Sequence, residues 1–307
     1  MRSESHKTVY IALAANLGIG LCKLAGGLLS GSSAMLAEAA HSAADTTNQL
    51  LLLASLNLSE RQPDETHPFG YGKERFFWSF LAAVFIFVSG AVFSIFEGMR
   101  RILGGGGPEG SVGIAFAVLA LAVVLEGTSL IRAGRQTQGE ARARRRSFAR
   151  HVRVSRDPTT KTVVFEDSAA VLGVALAAIG LGLTQLTGDT VYDGAASVAI
   201  GVLLAVVAFA LGRDTKALLI GEAALPEERE ALTRVFDEHP GVDSLVELLT
   251  MAVGPGSLLV AARIDLAADL GSDEIEELAD ELDRQLHEAV PEVGEVFLDP
   301  TRHRVRR

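Results

Sequence analysis

Cysteine is nearly absent from this 307-residue chain. Cys22 stands alone, which excludes an intrachain disulfide framework and any cysteine-cluster metal site. Charge is sparse as well: 21% of residues are charged against 49% hydrophobic, a balance that excludes a disordered or fibrous polymer. Lysine is scarcer still, 5 residues against 23 arginines. There is no Ser-His-Asp grouping and no HExxH motif, and Gly104 to Gly107 lack the strand-helix setting of a phosphate cradle, so an enzyme is not the expected reading. The start, MRSESHK, is too polar for a signal peptide, and the apolar run after it is expected to remain in the mature protein.

The net charge of -10 hides two different halves. Residues 1–213 hold 19 basic and 16 acidic side chains, a net +3, whereas residues 214–307 hold 9 and 22, a net -13. Neither half is basic in the manner of a nucleic-acid binder, so no nucleic acid is expected as a partner. In the first half the apolar residues gather into runs of spanning length, about 20 residues for a hydrocarbon core of roughly 30 Å. Six are read, near 8–29, 33–56, 76–99, 111–132, 162–185 and 190–212, the last two joined by the turn-like Thr187-Gly188-Asp189-Thr190. The loop between the fourth and fifth runs carries Arg132, Arg135, Arg142, Arg144, Arg145, Arg146, Arg150, Arg153, Arg156 and Lys161; the loop between the second and third carries Arg61, Lys73 and Arg75. By the positive-inside rule these loops and both termini are cytoplasmic, with Arg100 and Arg101 a minor exception. The arginine bias hints at a GC-rich bacterial genome, hence at a bacterial cytoplasmic membrane, with lipid as the surrounding partner.

Ionisable residues inside spans cost about 2.5 kcal/mol or more each at mid-bilayer and default to function. The second run contains Glu38, His41, Asp45 and Asn48, whose spacing of three, four and three puts them on one helical face. The fifth run opens with Glu166 and Asp167 in otherwise apolar sequence. An imidazole and several carboxylates on two helices suit a divalent cation: zinc first, with cobalt, ferrous iron or manganese tolerated. The plainer alternative is an i,i+4 pair of His41 and Asp45 within one helix. Lys23, Glu97, Glu126 and Asp193 are weaker signals; Lys23 could pair with a span carboxylate, Glu97 reads as interfacial, and Glu126 and Asp193 could line a path or bond to neighbouring helices.

After Arg213 the pattern becomes that of a small α+β domain. A helix is predicted over Pro226 to Glu238, strands over Asp243 to Val253 and Leu258 to Leu266 joined by Gly254-Pro255-Gly256, a second helix from Ser272 to about Ala289, and a strand over Glu295 to Asp299. The order αββαβ implies helices on one face of a small sheet. The fold class is therefore an all-α six-helix transmembrane domain (1–213) followed by a ferredoxin-like αββαβ cytosolic domain (214–307). The acids of the second helix, Asp273 to Asp283, read as a solvated face.

The segments GSSAMLAEAAHSAADTTNQLLLL, HPFGYGKER and VVFEDSAAVLG resemble the cation diffusion facilitator family of zinc and related metal transporters. DPTTKTVVFEDSAAVLG and TGDTVYDGAASVAIGVLLA are most similar to the branch containing mitochondrial zinc transporter 9. The resemblance implies a homodimer that exchanges a divalent cation for protons by alternating access, with no cofactor besides the transported ion. It places metal ligands on His41, Asp45 and Asp167; the family's first span-5 ligand falls on Val163, leaving Glu166, Glu38, Asn48 or water to complete the set. A secondary loop site is implied at Asp64 and His67, with Tyr71 where a second histidine stands in the family. In the tail, Val246, Arg263 and Phe297 replace expected histidines and leave Asp299 alone, so the tail is expected to dimerise without a binuclear metal bridge. A non-transporting metal sensor or scaffold stays open as an alternative.

Overall fold

The computed structural model describes residues 2–104, 111–267 and 270–301. It divides into two compact units, Met1–Asn57 with Phe77–Thr215 and Leu58–Phe76 with Lys216–Arg307. The segment Leu58–Phe76, expected within the first domain, clusters with the tail.

The first unit is helical. α1 spans Arg2–Ser30 and α2 Ser33–Ser59; α3 (Glu74–Phe85), a π-helical turn (Ile86–Val92) and α4 (Phe93–Gly104) form one continuous rod; α5 spans Val112–Ala143, the short α6 Phe148–Val154, α7 Pro158–Thr187 and α8 Val191–Ile220. Helices thus stand at all six predicted runs. Four of the rods, Glu74–Gly104, Val112–Ala143, Pro158–Thr187 and Val191–Ile220, are long and apolar enough to cross a membrane. α2 is 27 residues long, but Glu38, His41, Asp45 and Asn48 with their serine and threonine neighbours lower its hydropathy. In α1 the apolar described stretch is Asn16–Ser30. The expected glycine loop lies outside the described residues beyond Gly104.

Several helices outrun the apolar runs. α5 continues to Ala143 because the sequence after Arg132 is rich in alanine, glutamine and arginine, which favour helix even where hydropathy ends. α7 starts earlier than predicted, at Pro158, because Asp157 accepts a hydrogen bond from the Thr159 amide and proline suits the first helical turn. It ends at Gly188, whose φ of 76° is the left-handed conformation that glycine adopts without penalty.

The interior of this unit is built from small residues. Ala34, Ala37, Ala44, Ala115, Ala122 and Ala177 are fully buried. A Cβ on Gly98 would strike the backbone of Gly194, and one on Gly194 that of Gly98, so α4 and α8 touch main chain to main chain. Close approach through small residues is how helices associate where lipid removes the hydrophobic drive. The outer face is the reverse: Leu28, Val124, Leu186, Val206 and Phe209 lie exposed, a surface untenable in water but suited to acyl chains.

Asp193, at the start of α8, holds the N-terminus of α2. Its carboxylate accepts from Ser32 Oγ (2.5 Å), the Ser33 amide (2.6 Å), Ser33 Oγ (2.8 Å) and the Ala34 amide (3.4 Å). Orphan N–H groups at a helix start favour a carboxylate, supplied here from another helix. This fixes the axial position of the helix that carries His41 and Asp45.

In the second unit the elements run α9 (Pro226–Glu238), β1 (Val242–Gly254), β2 (Ser257–Leu266), α10 (Ser272–Ala289), β3 (Val293–Pro300). The sheet order is β1-β2-β3, with β1 and β2 antiparallel and β2 and β3 parallel. Glu228 and Glu274 reach back to the amides of Leu225 and Gly271, capping the two helices. Leu232 and Phe236 of α9 and Leu278, Leu282 and Leu286 of α10 bury against Leu258, Val260 and Ile264 of the sheet. The segment 58–76 joins this unit through Gly72, packed so closely on Val253 and Gly254 that no side chain fits, and through Phe76 in a cluster with Leu218 and Ala252.

Candidate metal centre

The polar face of α2 turns inward. Glu38, His41 and Asn48 are buried and Asp45 is 18% exposed. His41 Nε2 lies 3.5 Å from Asp45 Oδ2, so the i,i+4 pair forms, yet neither imidazole nitrogen has a hydrogen-bond partner. One turn on, Asn48 Nδ2 donates to Glu166 Oε2 at 2.6 Å, tying α2 to α7. Asp167, half-buried beside Glu166, accepts instead from Ser129 Oγ of α5 at 2.9 Å. Asp45 lies within electrostatic reach of Glu166, Glu126, Lys23 and Asp167.

The four predicted principal ligands are thus set as neighbours, not as a closed cluster. Among the described residues, no three His, Cys, Asp or Glu side chains converge as a ready-made metal nest. What they leave is a run of buried atoms without partners: His41 Nδ1 and Nε2, Asp45 Oδ1, Asn48 Oδ1 and Glu166 Oε1. Each such atom costs about 1–3 kcal/mol when it goes unpaired away from water. The oxygens, and whichever nitrogen of the neutral His41 imidazole carries no proton, can act as lone-pair donors toward a cation.

Lys23 resolves as an ion-pair hub. Its Nζ is 2.7 Å from Glu38 Oε2 and also bonds Glu126 Oε1, joining α1, α2 and α5. A lysine in an apolar run signals that some partner must exist, but nothing in the sequence says which of the acids it is. Glu38, one of the possible ligands suggested by the sequence, is in this structure a partner of Lys23. Its other oxygen lies against Gly173 of α7, where any Cβ would collide with it. Ser129 escaped the sequence reading because an exposed serine on an apolar helix carries no signal. Glu97, read as interfacial, is buried and pairs with Arg100 at 2.5 Å.

The predicted loop site has its own internal bonding. Asp64 Oδ1 accepts from the Thr66 amide (3.0 Å), Thr66 Oγ1 (2.7 Å) and the His67 amide (2.8 Å), and Oδ2 from Tyr71 OH (2.6 Å). The Tyr71 hydroxyl, then that of Thr66, hold the Asp64 carboxyl well below the usual carboxylate range. His67 sits beside it with Nδ1 3.6 Å away, stacked at 4.2 Å on Tyr71, whose other neighbour is the Arg61 guanidinium. On the sheet, Arg263 bridges Asp299 Oδ2 (2.9 Å) and Glu247 Oε2 (3.0 Å) across three strands, and these bonds raise its pKa further. Val246 and Phe297 are exposed, Phe297 making an edge contact with Phe69.

Residues 9–220 match the cation efflux transmembrane domain. The chain is 36% identical over 260 residues to the mitochondrial proton-coupled zinc antiporter SLC30A9 of Homo sapiens, covering 84% of this chain and 45% of that protein. It is 34% identical over 262 residues to metal tolerance protein C4 of Arabidopsis thaliana, covering 85% and 57%. To the manganese efflux system protein MneP of Bacillus subtilis (strain 168) it is 25% identical over 296 residues, covering 96% and 95%. The chain spans about half the length of the first two of these relatives.

Proposed function

Because this chain belongs to the cation efflux family, the cation diffusion facilitators, we propose that it exports a divalent metal cation from the cytoplasm in exchange for protons. The observation that carries this reading is the set of unpartnered buried atoms on His41, Asp45 and Asn48 of α2 and on Glu166 of α7, the two helices being tied there by the Asn48–Glu166 bond. Buried polar atoms without a protein partner call for water or a bound ion to satisfy them. His41, Asp45, Asp167 and Glu166 take the metal, and Asn48 positions Glu166. Val163, where the family has a ligand, contributes none.

A neutral imidazole favours zinc, the ion named for the SLC30A9 relative. Three carboxylates beside a single imidazole also make an oxygen-rich set, which favours manganese as the second reading, in keeping with the name of the MneP relative. Metal binding needs the imidazole lone pair and ionised carboxylates, and protons compete for the same atoms. Metal loads from the cytoplasm, the helices rock, and protons from the far side displace it. In this reading α1 and α2 cross the bilayer with the other four rods, both termini are cytoplasmic, and the membrane is a bacterial cytoplasmic one. The exposed Val246, Leu249 and Phe297 of the sheet suit contact with a second copy, giving a homodimer.

Reconstituted vesicles loaded with a zinc-sensitive dye test the reading. Wild type should transport zinc at a rate that rises with an imposed opposing proton gradient, and zinc addition should release protons. His41→Ala and Asp45→Ala should each abolish flux while the protein still elutes as one folded species. Flux indifferent to the proton gradient refutes exchange, and normal flux in both variants refutes the site.

A further inference from the structure

We propose that Lys23 is a tethered counter-cation, its ammonium occupying a second cation position formed by Glu38 and Glu126 one turn from the His41–Asp45 pair. This rests on the reading of His41, Asp45, Glu166 and Asp167 as the transport site.

The position has the geometry of a cation site. Carboxylates from two helices, α2 and α5, meet at one point, and a positive atom from a third helix stands there, bonded to Glu38 Oε2 at 2.7 Å and to Glu126 Oε1. It is largely shielded: Lys23 and Glu38 have no exposed side-chain surface, and Glu126 is 14% exposed. It also has spare ligand capacity. Glu38 Oε1 and Glu126 Oε2 are buried without hydrogen-bond partners, so the ammonium engages two of the four carboxylate oxygens available. A hard divalent cation would use more of them.

The position also communicates with the transport site. Lys23 acts electrostatically on both His41 and Asp45, and Glu126 on Asp45 and Asp167. Without the ammonium, Glu38, Asp45, Glu126, Glu166 and Asp167 are five acids linked by mutual repulsion with no internal cation among them. Such a set holds more than one divalent cation and releases neither readily. A transported ion must bind well enough to enter and weakly enough to leave. The tethered charge engages two of the acids and cancels one of their two negative charges permanently, limits the site to one metal and repels that metal toward release. An ammonium on a side chain serves where a free ion does not, because it cannot be carried across.

The test uses the purified full chain, with zinc as the probe, comparing wild type with Lys23→Met, Lys23→Arg, His41→Ala and the Lys23→Met/His41→Ala double variant. Equilibrium dialysis counts bound zinc per chain, and vesicle flux gives turnover and half-saturation. Lys23→Met should gain a second zinc equivalent that persists in the double variant. Its half-saturation concentration should fall while turnover drops at least tenfold; Lys23→Arg should restore the wild-type count and most of the turnover. An unchanged zinc count in Lys23→Met overturns the proposal. If Lys23→Met aggregates in zinc-free buffer, added zinc should restore a single elution peak, and aggregation indifferent to zinc overturns it too. Wild-type zinc binding that survives His41→Ala defeats the transport-site reading instead, since the extra equivalent in Lys23→Met is scored independently of it.

Discussion

Replacing Asp193 with alanine removes the group on which the start of α2 hangs. Four donors lose their acceptor: the amides of Ser33 and Ala34 and the hydroxyls of Ser32 and Ser33. Loss of an N-cap costs about 1 kcal/mol. Ser32 and Ser33 are buried, so hydroxyls left without a partner add about 1–3 kcal/mol. These terms overlap because one carboxylate serves all four donors, and hydrogen bonds inside membrane proteins often measure below 1 kcal/mol each. The expected loss is therefore about 2–4 kcal/mol, drawn from the 5–15 kcal/mol typical of a folded domain. Asp193→Asn keeps one acceptor oxygen and should lose about half as much. Trp78 is the sole tryptophan and sits on α3, so its fluorescence can follow unfolding of the purified protein by sodium dodecyl sulfate. A loss below about 0.5 kcal/mol for Asp193→Ala, or a larger loss for Asp193→Asn, would refute the assignment of Asp193 as the cap of α2.

Gly173→Ala places a methyl group against Glu38 Oε1, so Glu38 must shift; the overpacking should destabilise the protein by about 1–3 kcal/mol and depress flux, and an unchanged unfolding curve counts against the packing of α2 on α7. Gly188→Ala meets open space but keeps a positive φ, so it should cost only about 1 kcal/mol of backbone strain and leave flux intact, as the same unfolding and flux assays would show. Tyr71→Phe should move the titration of Asp64 upward, read by carbon NMR of labelled aspartate. Because the folded carboxyl is held below its unfolded value, its bonds stabilise the loop above about pH 4 and are lost as pH falls through the depressed value. In Tyr71→Phe the folded value lies nearer the unfolded one, so that loss should be smaller and complete at a higher pH.

How much of this was legible varies along the chain. The tail reads well from sequence because its signals are local: the Gly254-Pro255-Gly256 turn, proline at the start of α9 and Ser272 at the start of α10 place every element within a few residues. The inward face of α2 also follows from spacing alone, since a stripe of acids and imidazole cannot face lipid. Partners at long range do not follow. Asp193 caps a helix 160 residues earlier, Lys23 reaches Glu126 across 103 residues, and Asp167 chooses Ser129 over the acids beside it. No periodicity encodes those choices; they come from which helices pack together and how small residues let them approach. The docking of residues 58–76 on the sheet escapes for the same reason, since Gly72 and Gly254 look like ordinary loop glycines until their backbones meet. Hydropathy likewise marks where lipid contact ends but not where helix ends, which is why α5 runs to Ala143.

In the proposed function one divalent cation is carried on His41, Asp45, Glu166 and Asp167. Competition flux in vesicles tests it most directly, with zinc as the transported ion and manganese, cobalt or ferrous iron as competitor, wild type beside Asp167→Ala and Glu166→Ala. Asp167→Ala should abolish zinc flux, and Glu166→Ala should weaken it severalfold while changing the rank of the competitors. Zinc flux at the wild-type rate, with the same competitor ranking in both variants, would contradict the assignment.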